Sequence, residues 1–344
     1  MWHGFLIESG PEFDAFAGYA KRLPIATVSG RDMLAHLTIG REFEKSTANL
    51  RLGNEMSDTR PAPEKNAITE RDATSQVFNP LAALLEHSLD PAFRTNLLAK
   101  EASAWHGHVP FAHWLVALLK PSCVVELGTH NGVSYSAFCE EVKQSQLSSH
   151  TTCYAVDTWE GDEQAGLYSH EVFEKVKQFN DSRYGEFSTL LRMTFSEALD
   201  QFADDSIELL HIDGQHTYAT VRDDFESWFP KVSRKRGIIL FHDIAIRSEG
   251  FGVHRLWAEL LERYPGFSFD HSAGLGVLLV GSDLPDCLSE LADLENSEAE
   301  RFRRRFAVLG QAATEVWTRS ACEQAAATAL EDLRSQAEAE QVRL

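Results

Sequence analysis

Apolar positions along the chain follow two rhythms. Between about Pro80 and Gly281, short runs rich in Val, Ile and Leu alternate with stretches of helical spacing. CVVEL (Cys123–Leu127), TCYAVD (Thr152–Asp157), LLRMT (Leu190–Thr194), IELLHID (Ile207–Asp213) and GIILFHD (Gly237–Asp243) read as five buried strands. FSFDH and LGVLLVG read as a closing antiparallel pair. VSYSAFCEEV, YATVRDDFESWFPKV and GVHRLWAELLERY carry apolar residues three and four apart, as amphipathic helices do. This alternation predicts an α/β, Rossmann-like fold. Its sheet is seven-stranded and mostly parallel, with an antiparallel closing pair and helices on both faces.

The flanks have a different texture. Residues 1–95 read as a helical extension and linker. PEFDAFAGYAKRL and DMLAHLTIGREFEKSTANLRL are helical, and NEMSDTRPAPEKNAITERDATSQ is a polar, proline-bearing arm. Residues 96–284 form the main domain, and 285–344 a helical tail. In the tail, Phe302, Phe306, Leu309, Ala313 and Val316 repeat in steps of four and three. This single stripe suits a helix folded back on the core, or a coil joining two copies; Gly310 weakens the second. Pro110, after His106 and His108, marks a turn into a helix.

Composition narrows the functional classes. The chain has 344 residues, 43% of them hydrophobic, enough for a substantial core. Acids outnumber Lys plus Arg by 52 to 32, for a net charge of −20, which argues against nucleic acid or anionic lipid as partner. Five cysteines without a CxxC predict reduced thiols in a cytoplasmic protein. The start shows no secretory leader, and no run is long enough for a membrane span.

VVELGTHNGVSYS joins the first strand to a helix, where α/β proteins bind nucleotides. Its spacing is Glu-x-Gly-x-x-x-Gly, from Glu126 to Gly128 and Gly132, and not the dinucleotide fingerprint G-x-G-x-x-G. An acid there disfavours a pyrophosphate and suits an ammonium or sulfonium group. Asp157 at the end of the second strand fits ribose hydroxyls. Trp159 either covers an adenine or packs in the core. Ser196, a good N-cap, sits where an adenine edge is expected.

Together ELGTHNGVSYS, AVDTWEGD, LLHIDGQHTYATVRDDFESW and GIILFHD resemble the class I S-adenosylmethionine-dependent methyltransferases. They are most similar to the metal-dependent sugar and small-molecule O-methyltransferases found alongside glycosyltransferases. The resemblance implies a cofactor set of Glu126, Gly128, Thr129, His130, Gly132, Ser134, Asp157, Thr158, Ser196 and Asp213. It also implies a divalent cation, Mg²⁺ or Mn²⁺, on Asp213, His242 and Asp243, although the imidazole departs from the usual oxygen ligand. His216 stands where the related enzymes have a base, and an unperturbed imidazole, pKa near 6.5, accepts a proton at neutral pH. Asp213 and His216 are thus the catalytic pair. His211, inside its strand, reads as a buried, hydrogen-bonded histidine, and Asp223 and Asp224 as a solvated face. His106 and His108 either roof the site or have a local structural role. AIRSEGFGVHRLW borders the acceptor pocket, with Arg247 and Glu249 facing acceptor hydroxyls.

The expected reaction is O-methylation of a sugar hydroxyl on a glycan or glycosylated small molecule. A nicotinamide oxidoreductase or epimerase, or a non-catalytic scaffold of a glycan-assembly complex, are the alternatives. The terminal helices suggest a homo-oligomer.

Overall fold

The computed structural model describes residues 89–94, 101–162 and 166–341. The helical patterns and linker expected before residue 89 lie outside the described residues. A 3-10 turn, Ala104–His108, leads into helix α1, Val109–Leu119, which carries Pro110 in its first turn. That position suits proline because the first amides of a helix lack intrahelical partners. Then follow β1 Cys123–Leu127, α2 Val133–Gln144, β2 Thr152–Asp157, α3 His170–Tyr184, β3 Ser188–Arg192 and β4 Leu209–Ile212. The chain continues through α4 Tyr218–Trp228, β5 Ile238–His242, α5 Val253–Leu261, β6 Gly266–Phe269 and β7 Leu275–Leu279. It ends in α6, Asn296–Gln341.

The seven strands form one sheet in the order β3-β2-β1-β4-β5-β7-β6. β1 to β5 pair in parallel, and β7 runs antiparallel to both of its neighbours. The expected architecture is therefore observed, with one shift of register: β3 begins two residues before Leu190 and ends before Met193. The order in which strands are added switches sides between β1 and β4, and the carboxyl ends of β1, β2 and β4 surround the resulting crevice. In such sheets this crevice is the usual ligand site.

Each face of the sheet builds its own core. Val124, Leu209, Ile238 and Leu240 pack against α1, α2 and the start of α6. Val125, Leu127, Leu210, Ile212, Ile239 and Phe241 pack against α4 and α5. Burial on both sides explains why these strands read as continuous apolar runs. Because side chains alternate, Glu126, His211 and His242 share the first face with Val124, Leu209 and Leu240. Trp105 covers this polar row, its ring centroid 4.8 Å from that of His211 and 5.8 Å from that of His242.

The first half of α6 folds back on the core through Ala299, Phe302, Phe306, Gly310 and Trp317. The expected stripe drifts off this face, leaving Val316 61% exposed. A straight helix at 3.6 residues per turn brings residue 317 in line with 306 and 310, and residue 316 does not align. Gly310 makes a close approach here: a Cβ on it would lie 2.0 Å from the Gly107 carbonyl oxygen. Cys139, Cys153 and Cys287 are buried and free, Cys123 is half-buried and Cys322 exposed. Among the described residues no helix is long and apolar enough to cross a membrane.

Candidate active site

After β1 the chain turns through Gly128 (φ 85°) and Gly132 (φ 76°), backbone angles that glycine adopts without a Cβ clash. At Gly128 space is limiting as well, since a Cβ would meet the Asp213 carbonyl oxygen at 2.2 Å. The tips of β1 and β4 close on each other at this point, and Asp213 N–H donates to Leu127 O at 2.9 Å. Gly132 is the N-cap of α2.

Between the two glycines, Thr129 and His130 donate their backbone N–H groups to Asp157 Oδ2 at 2.8 and 2.9 Å. Asp157 Oδ1 accepts the Trp159 N–H at 2.7 Å. The carboxylate expected to face a ribose thus organises the loop itself. Trp159 takes the core alternative: it is buried, and its indole N–H donates to His130 O at 2.9 Å. The His130 ring stacks on Tyr168, with centroids 4.2 Å apart.

Glu126 and His211 are direct neighbours in the β1–β4 register. Both are fully buried, and His211 Nδ1–H donates to Glu126 Oε2 at 2.8 Å. The histidine reading therefore holds, and its partner is an acid that was expected to face the cofactor. Burial raises the Glu126 pKa, with the His211 hydrogen bond opposing. Ser134, also buried, lies beside this pair.

A cleft of about 300 Å³ opens at the carboxyl ends of β2 and β3. Thr158, Glu160, Arg192, Met193, Thr194 and Glu197 line it. Of these only Thr158 belongs to the set expected from sequence. Ser196 is not the N-cap. Thr194 caps the helical turn Phe195–Ala198, accepting the Glu197 N–H at 3.2 Å, while Glu197 Oε2 accepts the Thr194 N–H at 2.9 Å. The signal was present in TFSE, which has the Thr-x-x-Glu spacing of a capping box, whereas Ser196 has no acid three residues on.

The tips of β4 and β5 bring Asp213, His216, His242 and Asp243 together. His216 Nε2 lies 2.8 Å from Asp243 Oδ2 and 3.7 Å from Asp213 Oδ1. His242 Nδ1 lies 3.4 Å from Asp213 Oδ1 and 3.5 Å from Asp243 Oδ1. Asp213, His242 and Asp243 each offer one ligand atom, all within 4.8 Å of one another. His242 Nε2–H donates to Ser272 O at 3.2 Å. A backbone carbonyl fixing the distal nitrogen is how metal-binding imidazoles are commonly held. His108 Nε2–H donates to the same carbonyl at 3.1 Å.

The charges in this group are strongly coupled. Burial pushes the Asp213 carboxyl up, but His242 and His216 outweigh it and hold the group well below the usual carboxylate range. Asp243 is lowered to about 2 by the same balance, burial opposing and the His242 charge prevailing. Burial lowers the His216 pKa, and hydrogen bonds to Asp213 and Asp243 more than reverse this, raising it to about 10. The unperturbed value assumed from sequence does not apply, because two carboxylates converge on the ring. Phe251 stacks on the His216 ring, with centroids 4.9 Å apart and planes at 11°.

The remaining expectations divide. His108 is fully buried behind His242, and His106 is buried and stacks on Trp317 (4.7 Å), so their role is structural packing. Arg247 donates to Ile244 O at 2.7 Å within its own loop. Asp223 is solvated, but Asp224 is half-buried, and burial together with the Asp223 charge pushes its carboxyl up to about 7.

A protein of Sinorhizobium fredii described as uncharacterized protein y4gI is 49% identical over 190 residues. The match covers 55% of this chain and 20% of that relative's length. Among solved structures, the O-methyltransferase TomG from Streptomyces achromogenes, in complex with SAM, is 13% identical with a TM-score of 0.40. That match covers 60% of this chain and 91% of TomG. An O-methyltransferase from Bacillus cereus in complex with SAH is 14% identical, TM-score 0.39, over 61% of this chain and 94% of the other. Residues 125–244, the stretch from the Glu126 row to the Asp213–Asp243 cluster, match the family model of a methyltransferase domain.

Proposed function

We propose that this chain is an S-adenosylmethionine-dependent O-methyltransferase that uses a divalent cation and acts on a hydroxyl of a sugar in a glycan or glycosylated small molecule. The observation that carries the reading is the convergence of Asp213, His216, His242 and Asp243 at the tips of two neighbouring strands. The sugar acceptor rests on the likeness of HIDGQH and FHD to the sugar-directed enzymes.

The donor set of two carboxylate oxygens and one imidazole nitrogen fits Mn²⁺ or another first-row divalent ion better than Mg²⁺, which favours an all-oxygen shell. A cation on Asp213, His242 and Asp243 would orient an acceptor hydroxyl and withdraw charge from its oxygen. His216 takes the proton. In its present contacts the imidazole is held protonated by two carboxylates. A cation on the two carboxylates would weaken that hold, and His216 would then lie nearer the range in which it accepts a proton. Phe251, stacked on the ring, restricts its rotation. With S-adenosylmethionine bound, the sulfonium would supply the methyl group to the hydroxyl oxygen and leave as the neutral thioether, and His216 would take the hydroxyl proton. Positioning of oxygen in line with the sulfur–methyl bond accounts for much of the acceleration. The cleft beside Thr158 and Arg192 would receive the adenosine end.

Isothermal calorimetry with S-adenosylmethionine and its demethylated product, with Mn²⁺ or with chelator, tests the reading. Folded protein that binds neither nucleoside overturns it. His216→Ala is expected to keep cofactor binding and lose turnover.

A further inference from the structure

Helix α6 has a second face. Its buried residues, Ala299, Phe302, Phe306, Gly310 and Trp317, all lie on the side toward the core. On the opposite side Ala312, Val316, Arg319, Glu323, Ala326, Leu330 and Leu333 repeat in alternating steps of four and three, and every one of them is exposed. Val308, Val316, Leu330 and Leu333 are 59%, 61%, 50% and 63% exposed, and with the exposed alanines between them they lie on one face of the helix. The alternation is the spacing of a two-stranded coil, sustained for three heptads.

We propose that this face pairs with the same face of a second copy of the chain, as an antiparallel two-helix coil about a two-fold axis near Ala321. The charges select both the partner and the direction. Under that axis Arg319 of each copy meets Glu323 of the other, so one pairing is made twice, as an isologous contact requires. A parallel, in-register pair would set Arg319 on Arg319 and Glu323 on Glu323, placing like charges in the seam. The antiparallel register also sets large against small: Val316 faces Ala326, Leu330 faces Ala312, and Val308 comes near Leu333. Cys322 lies beside the axis and is exposed, so the two thiols face each other across it. At 1.5 Å per residue the paired segment, residues 308–334, is about 40 Å long. The seam is independent of the chemistry at the strand tips.

Sedimentation velocity on the full chain, together with cross-linking by a short bis-maleimide, tests the proposal. The unaltered protein is expected to be a dimer that cross-links through Cys322, and Cys322→Ser to remain a dimer that does not. Leu330→Asp with Leu333→Asp should give a folded monomer, its circular dichroism retaining the core. Arg319→Glu should weaken dimerisation at least ~10-fold, and adding Glu323→Arg should restore it, as expected for a charge pair worth about 1.4 kcal/mol or more. A monomer at every concentration, a dimer indifferent to Leu330→Asp with Leu333→Asp, or a dimer without the Cys322 cross-link each overturns it. So does a monomer that uses this face only to bind a different protein.

Discussion

Replacing Gly310 by alanine sets two effects of known sign against each other. Alanine is the better helix former by about 1 kcal/mol, and on propensity alone the variant is stabilised. The contact opposes this. A Cβ at Gly310 would stand 2.0 Å from the Gly107 carbonyl oxygen, 2.8 Å from its carbonyl carbon and 2.9 Å from its Cα. All three are backbone atoms and cannot rotate away. The 3-10 turn that carries Gly107 is held from the other side too: a Cβ on Gly107 would meet Ser272 Oγ at 1.8 Å, and His271 Nε2–H donates to Gly107 O at 3.1 Å. Reaching ordinary contact therefore requires α6 and the turn to separate by roughly 1 Å, an overpacking change that costs about 1–3 kcal/mol. Weakening the His271 bond adds about 1 kcal/mol. After the propensity gain, a net loss of about 1–3 kcal/mol remains. In a protein of this size that lowers Tm by roughly 1–4 °C, readable by scanning calorimetry. The exposed Ala325→Gly on the same helix, off both the core face and the proposed seam, provides the control, with a loss of about 1 kcal/mol from propensity alone. A Gly310→Ala variant with raised Tm would refute the close-approach reading and leave the glycine without a packing reason.

Three further outcomes are expected. Asp224, with its pKa raised in the folded state to about 7, makes the protein less stable as pH rises from about 4 through 7, because the folded form binds the proton more tightly. Asp224→Asn removes that slope, and urea unfolding at pH 8 should find it more stable by up to about 4 kcal/mol, with no gain at pH 4; the same gain at both pH values would point to another cause. Glu126→Ala leaves His211 buried without its acceptor and should lose about 3 kcal/mol in urea unfolding, while Glu126→Gln, which keeps an acceptor oxygen, should lose less than half as much; equal losses would show that the bond is immaterial. Thr194→Ala should lose about 1 kcal/mol and Ser196→Ala within about 0.5 kcal/mol of nothing, and the reverse order would restore Ser196 as the cap.

The sheet was legible because burial on both faces writes itself into the sequence as short β-branched runs, and helices between them carry their own period. The site was legible at its carboxylates for a related reason: an acid directly after such a run has to emerge at a strand tip, as Asp213 and Asp243 do. The limits follow from what a one-dimensional pattern lacks. Glu126 and His211 stand 85 residues apart in sequence, and only the β1–β4 register makes them partners. The Ser272 carbonyl that fixes His242 comes from a loop whose residues say nothing of a ligand-orienting role. Asp157 shows what position alone does not tell: it sits where a ribose acceptor was expected, and its oxygens also take three amides of the loops beside it. That arrangement bears on binding. Three N–H groups directed at one carboxylate hold Thr129, His130 and Trp159 in fixed positions, so the loop that a cofactor would meet is shaped in advance. The ordering cost is then met on folding and not on ligand binding.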